Sequence, residues 1–240
     1  MDEGEGGALM SGLLSFLFTA QNWALTPDGV PARLGEHLLY TAITLVIAFV
    51  IAFPVGLLIG HTGRGAFLAI NIGNAGRALP TLGLLTLLVL LMALGILPVI
   101  IALVILAIPP IMTNTYAGIR SVEPDIVDAA RGMGMTELQV LFQAELPAAL
   151  PVIVGGLRTA TLQVVSTATV AAYVALGGLG RFLIDGQDQQ DYPQMFAGAV
   201  LVALLAILLD VVFVGLRYVA APGGLAARRK TPTRRAASAS

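Results

Sequence analysis

The sequence predicts an all-α integral membrane protein with five spans, or six if a short N-terminal apolar piece also crosses, interrupted by a polar two-helix insert. Three observations lead there. Of 240 residues, 57% are hydrophobic and 11% charged, and the mean hydropathy of +0.89 exceeds what a soluble domain of this size carries. Apolar runs recur at the length of about 20 residues that a helix needs to cross about 30 Å of hydrocarbon. Basic residues gather on one side of the resulting map, as cytoplasmic loops require.

Taken in order, the acidic start MDEGEG precedes an apolar piece at 7–20 that is short for a span. A secretory signal would open with positive charge, so this piece reads as an uncleaved interfacial or re-entrant helix, with a sixth span as the alternative. Clear spans follow at 37–60, 98–116, 151–176 and 195–218. A mixed one begins near Ala66, carries Asn71, Asn74, Arg77 and Pro80, and turns fully apolar over 82–94. The chain therefore divides into an external segment with a short interfacial helix (1–35), a membrane domain (36–219, insert at 121–147) and a basic tail (220–240). The tail, RRKTPTRRAASAS, is Pro/Ser/Ala-rich and reads as disordered cytoplasmic chain that touches anionic lipid. It lacks the interleaved aromatics of a nucleic-acid site, so no nucleic acid is expected as a partner.

This map places Arg64, Arg120, Arg131 and the tail cations on one side, against Arg33 and Arg181 on the other. It predicts the N-terminus outside, the C-terminus inside and the insert cytoplasmic.

The insert reads as helix, turn, helix. Pro124 suits a first helical position, Asp125 and Asp128 favour the opening turns, and Gly132 and Gly134 interrupt. Thr136 with Gln139 fits a capping box, Leu138, Leu141 and Phe142 form an apolar stripe, and Pro147 closes the segment. From periodicity alone the stripe serves equally as a docking surface or as packing against the protein's own membrane domain.

Asp128-Ala129-Ala130, then Gly134, then Leu146-Pro147 resembles the EAA signature of permease subunits in binding-protein-dependent ABC importers. Asp128 stands where that family usually has Glu, and Ala144 where it usually has Ile. The resemblance implies that the insert forms coupling helices seated in a cleft of a cytoplasmic ATP-binding subunit pair, with Asp128, Ala129, Ala130, Gly134, Leu146 and Pro147 as the ATPase-coupling residues. It further implies an extracytoplasmic solute-binding protein, a second permease copy or homologous sister permease, and a bacterial cytoplasmic membrane. LPTLGLLTLL, IPPIMTNTYAGIRSVEPDIVDAARGMGMT, GGLRTATLQVVSTAT and ALGGLGRFLIDG look like the osmoprotectant group, which imports glycine betaine, choline, carnitine or proline betaine. The methionine importer permease is similar in layout and is the alternative. Lys230 is the only lysine, so the chain has no phosphate loop of the G-x-x-x-x-G-K-[ST] type, and it is expected to be a transport subunit and no enzyme.

Polar side chains within spans face a bundle interior or a water path, because lipid disfavours them. Gln163, Ser166, Thr167, Thr169 and Tyr173 lie in the fourth span, the first three at helical spacing on one face, and together with Asn74 they are candidates for the translocation path. Helix packing is the alternative for each hydroxyl. Asn71, Asn74 and Arg77, at i, i+3 spacing, make the opening of the second span polar on one side and are candidates to line an inner vestibule, with snorkelling toward headgroups as the alternative for Arg77 and the same reading for Arg158. Asp210 lies deep in the last span and is expected to be paired; a proton-coupled carrier is the rival reading of it. His37 and His61 are the only histidines, with no paired carboxylates or metal-ligand spacing, so no catalytic residue, metal or cofactor is expected.

Overall fold

The computed structural model describes residues 3–174 and 176–220. All regular structure among them is helical: α1 (Glu3–Phe18), α2 (Val30–Thr62), α3 (Ala66–Ala78), α4 (Thr81–Met92), α5 (Ile96–Arg120), α6 (Pro124–Gly132), α7 (Glu137–Gln139), α8 (Leu146–Ala168), α9 (Gly180–Asp188) and α10 (Tyr192–Ala220). A π turn, Val140–Glu145, joins α7 to α8, and a 3-10 turn, Thr169–Val174, follows α8. Tail residues 221–240 lie outside the described residues.

Four helical stretches are long and apolar enough to cross a bilayer: α2, α5, Glu137–Val174 and α10. The mixed second span, expected as one unit, is a broken pair, α3 and α4, bent by 91°. The cause is local. Pro80 clashes with a helical residue ahead of it, and Leu79 accordingly sits at φ −73°, ψ 121° in extended backbone. Helix α1, with 16 residues, reaches about 24 Å at 1.5 Å per residue, short of the hydrocarbon thickness. It rests on α9 and α10, where Phe16 meets Phe182 edge to face at 5.5 Å.

The core forms where α5 passes between α2 and α8, with Ala48, Ala52, Leu103, Ala107, Ile111, Met112, Ala160 and Val164 buried together. Gly56 and Gly60 on α2 make the α2–α5 crossing close: a Cβ at either would meet Thr115 or Ile119 of α5 inside contact distance. Small residues spaced by one turn serve helix pairs in lipid this way, since packing drives association there. His37, in the N-terminal part of α2, is fully buried and its Nε2 lies 3.0 Å from the Val165 carbonyl on α8.

Two expectations about the last spans change. Pro147 does not end the insert; the second insert helix continues through the π turn into α8. Leu146 donates to Leu141 across that wider turn, which relieves the clash a proline ring makes with the carbonyl of an α turn. Arg158 does not snorkel. It grips Asp210 of α10, Nε to Oδ1 at 2.5 Å and Nη2 to Oδ2 at 2.9 Å, so the predicted pairing of Asp210 is met by a residue assigned elsewhere.

Candidate coupling surface and translocation path

The insert is built from local motifs. α6 starts with Pro124 at its first turn and Asp125 beside it, then closes as a Schellman cap: Gly134 N–H donates to the Arg131 carbonyl at 2.9 Å and Met135 N–H to the Ala130 carbonyl at 3.3 Å. Gly134 takes φ +84° to do so. Thr136 and Gln139 form the predicted capping box, Thr136 N–H donating to Gln139 Oε1 at 2.8 Å and Gln139 N–H to Thr136 Oγ1 at 3.4 Å. Across the turn, Arg131 forks onto Glu137, Nε to Oε1 at 3.0 Å and Nη2 to Oε2 at 2.9 Å. The hydrogen bonds and charge of Glu137 hold the Arg131 guanidinium above its ordinary pKa.

The predicted coupling residues separate into two groups. Asp128, Ala129 and Gly134 are exposed, and nothing lies within 4 Å of a Cβ built on Gly134. Ala130 is buried, and Leu146 and Pro147 are half-buried. Leu146 packs with Leu57, Ile119, Leu141, Ala149 and Ile153 where α2, α5, the π turn and α8 meet. The apolar stripe splits the same way. Leu141 goes inward, while Leu138 at 69% and Phe142 at 54% exposure stay open. Met133, 77% exposed, joins them; it escaped the sequence reading because it sits in the turn, outside any helical period.

Polar path candidates are likewise sorted. A cavity of about 250 Å³ lies among α3, α5 and α8, lined by Gly73, Gly76, Pro109, Pro110, Thr113, Asn114, Thr159 and Gln163. Of the predicted set only Gln163 lines it. Ser166 is exposed and donates to the Gln163 carbonyl at 2.9 Å. Thr167 is half-buried and donates to the same carbonyl at 2.7 Å. Asn74 is exposed on α3, and the Arg77 side chain lies outside the described residues. Thr113, Asn114 and Thr159 were missed. Thr113 and Asn114 donate to the carbonyls of Pro109 and Pro110, both at 2.7 Å, so a polar pair one turn after a double proline was the available signal. The lining offers amide and hydroxyl groups without a formal charge or an aromatic ring.

Residues 52–223 match the family model described as "Binding-protein-dependent transport system inner membrane component". The glycine betaine/carnitine/choline transport system permease protein OpuCB of Bacillus subtilis is 32% identical over 193 residues, covering 80% of this chain and 89% of that protein. The carnitine transport permease protein OpuCD of Listeria monocytogenes is 37% identical over 177 residues, covering 73% and 79%. Among solved structures, the MetNI methionine ABC transporter in inward facing conformations aligns with a TM-score of 0.68 at 24% identity, over 78% of this chain and 94% of that one, and so shares the fold. The chain belongs to the binding-protein-dependent inner membrane components and is a non-enzymatic, multi-pass membrane subunit of an ABC importer, with an ATP-binding subunit and a substrate-binding protein as its partners.

Proposed function

We propose that this permease imports an osmoprotectant of the glycine betaine, choline, carnitine or proline betaine type. The observation that carries the reading is substrate naming among relatives: those at 32 to 37% identity are glycine betaine, choline and carnitine permeases, while the methionine transporter is a likeness of fold. Two copies of the chain, or one with a sister permease, enclose a path beside Gln163, Asn114 and Thr159. That pairing would keep these polar side chains out of lipid, which disfavours them. Ser166 and Thr167, three and four residues beyond Gln163 on α8, and Asn74 on α3 would join this path outside the cavity. The N-terminus is external, the C-terminus and insert cytoplasmic, and a pair of ATP-binding subunits engages the exposed surface of Asp128, Ala129, Gly134, Leu138 and Phe142. A cytoplasmic surface this apolar suits burial in a cleft. Closure of the ATP-binding pair then swings the spans to accept solute from the binding protein. The proton-coupled alternative loses its candidate group, since Asp210 is engaged by Arg158.

The test is uptake of labelled glycine betaine after a salt upshift, in source cells with and without the gene, with methionine as the parallel tracer. Loss of glycine betaine uptake alone supports the proposal; loss of methionine uptake alone refutes the substrate class.

A further inference from the structure

His61 ends α2, far in sequence from the insert, yet both ring nitrogens face insert carboxylates. Nδ1 lies 2.6 Å from Glu145 Oε2, and Nε2 lies 3.2 Å from Glu137 Oε2. Glu145 is 5% exposed and sits in the π turn beside the apolar cluster that roots the insert. Glu137 in turn occupies the Arg131 fork, and Arg131 Nη1 stands 3.9 Å from Asp128 Oδ1. A continuous chain of polar contacts therefore leads from the acid of the exposed motif to the end of the first span.

We propose that the His61–Glu145 pair is the strut that carries displacement of the insert into α2, with His61 as a positioning residue for the transport cycle. This rests on the importer reading above. Apolar contacts among Leu57, Ile119 and Leu141 hold the parts together without fixing direction. A hydrogen bond of 2.6 Å fixes both distance and orientation. Buried polar pairs are replaceable by apolar residues at little cost in stability, so the place of this one at the junction of insert and span points to a geometric role.

The test uses the complete complex, with its ATP-binding subunit and binding protein, in proteoliposomes, following labelled glycine betaine and methionine uptake alongside ATP hydrolysis. A His61→Leu/Glu145→Leu double variant removes the strut while leaving no buried charge. It is expected to assemble and to hydrolyse ATP, with uptake per ATP reduced tenfold or more. His61→Arg, which presents N–H groups to both carboxylates, is expected to keep most of that ratio. A double variant that matches wild type in uptake per ATP overturns the strut alone, and one that fails to assemble overturns it too, by showing that the pair holds the fold. A wild-type complex that takes up neither tracer overturns the importer reading beneath it.

Discussion

Arg158 and Asp210 meet through both carboxylate oxygens, linking α8 to α10 from positions 52 residues apart in the chain. Each side chain keeps about a third of its surface open, 37% for Arg158 and 30% for Asp210, so the pair lies at the flank of the bundle. Asp210→Leu alone strands the guanidinium in an apolar setting and is expected to lower the melting temperature of the detergent-solubilised protein by several degrees. Arg158→Leu/Asp210→Leu is expected to recover most of that loss. A double variant as unstable as the single one would show that Asp210 has some other partner.

Gly134 separates strain from bulk. Its φ of +84° costs a residue with a Cβ about 1–2 kcal/mol, so Gly134→Ala should weaken the insert modestly and leave measurable uptake. Gly134→Trp adds a ring on the open face and is expected to abolish uptake while membrane insertion stays intact. Normal uptake by the Trp variant would remove Gly134 from the coupling surface.

Gln163 and Asn114 line the cavity among α3, α5 and α8. Gln163→Leu is expected to reduce uptake about tenfold, equivalent to ~1.4 kcal/mol at the limiting barrier. ATP hydrolysis by the assembled complex should persist. Ser166→Ala, whose hydroxyl is spent on the backbone, should change uptake less than twofold, and the two variants measured side by side decide whether the cavity or the whole polar face carries solute.

The Thr44 hydroxyl is fully buried and has no hydrogen-bond partner among the described residues. Val has nearly the same shape, so Thr44→Val removes an unsatisfied polar atom whose burial costs about 1–3 kcal/mol. A rise in melting temperature of about 2–4 °C per kcal/mol is expected. A fall would mean that the hydroxyl is engaged in the working protein.

The spans were legible because a bilayer demands long apolar runs and the sequence supplies them; the capping box and the Gly134 turn were legible because both are written within a few adjacent residues. What escaped was everything made by distant chain segments. Asp210 announced that it needed a partner, but nothing local to Arg158 named it as that partner. His61 looked like an ordinary span end until the fold set it against Glu145, 84 positions away. The broken second span was half legible: Pro80 was visible, yet a proline kink and a 91° bend look alike until the neighbours of α3 and α4 are placed. Thr113, Asn114 and Thr159 became a lining only where three helices converge.

The Schellman cap, the capping box and the Arg131–Glu137 fork all close within the insert itself. Its shape is therefore preorganised before any partner arrives, and the docking onto an ATP-binding subunit proposed above would draw little free energy into ordering a loop. Association should behave as a rigid-body encounter, with mutations on the exposed face changing how long the subunits stay together far more than how fast they meet.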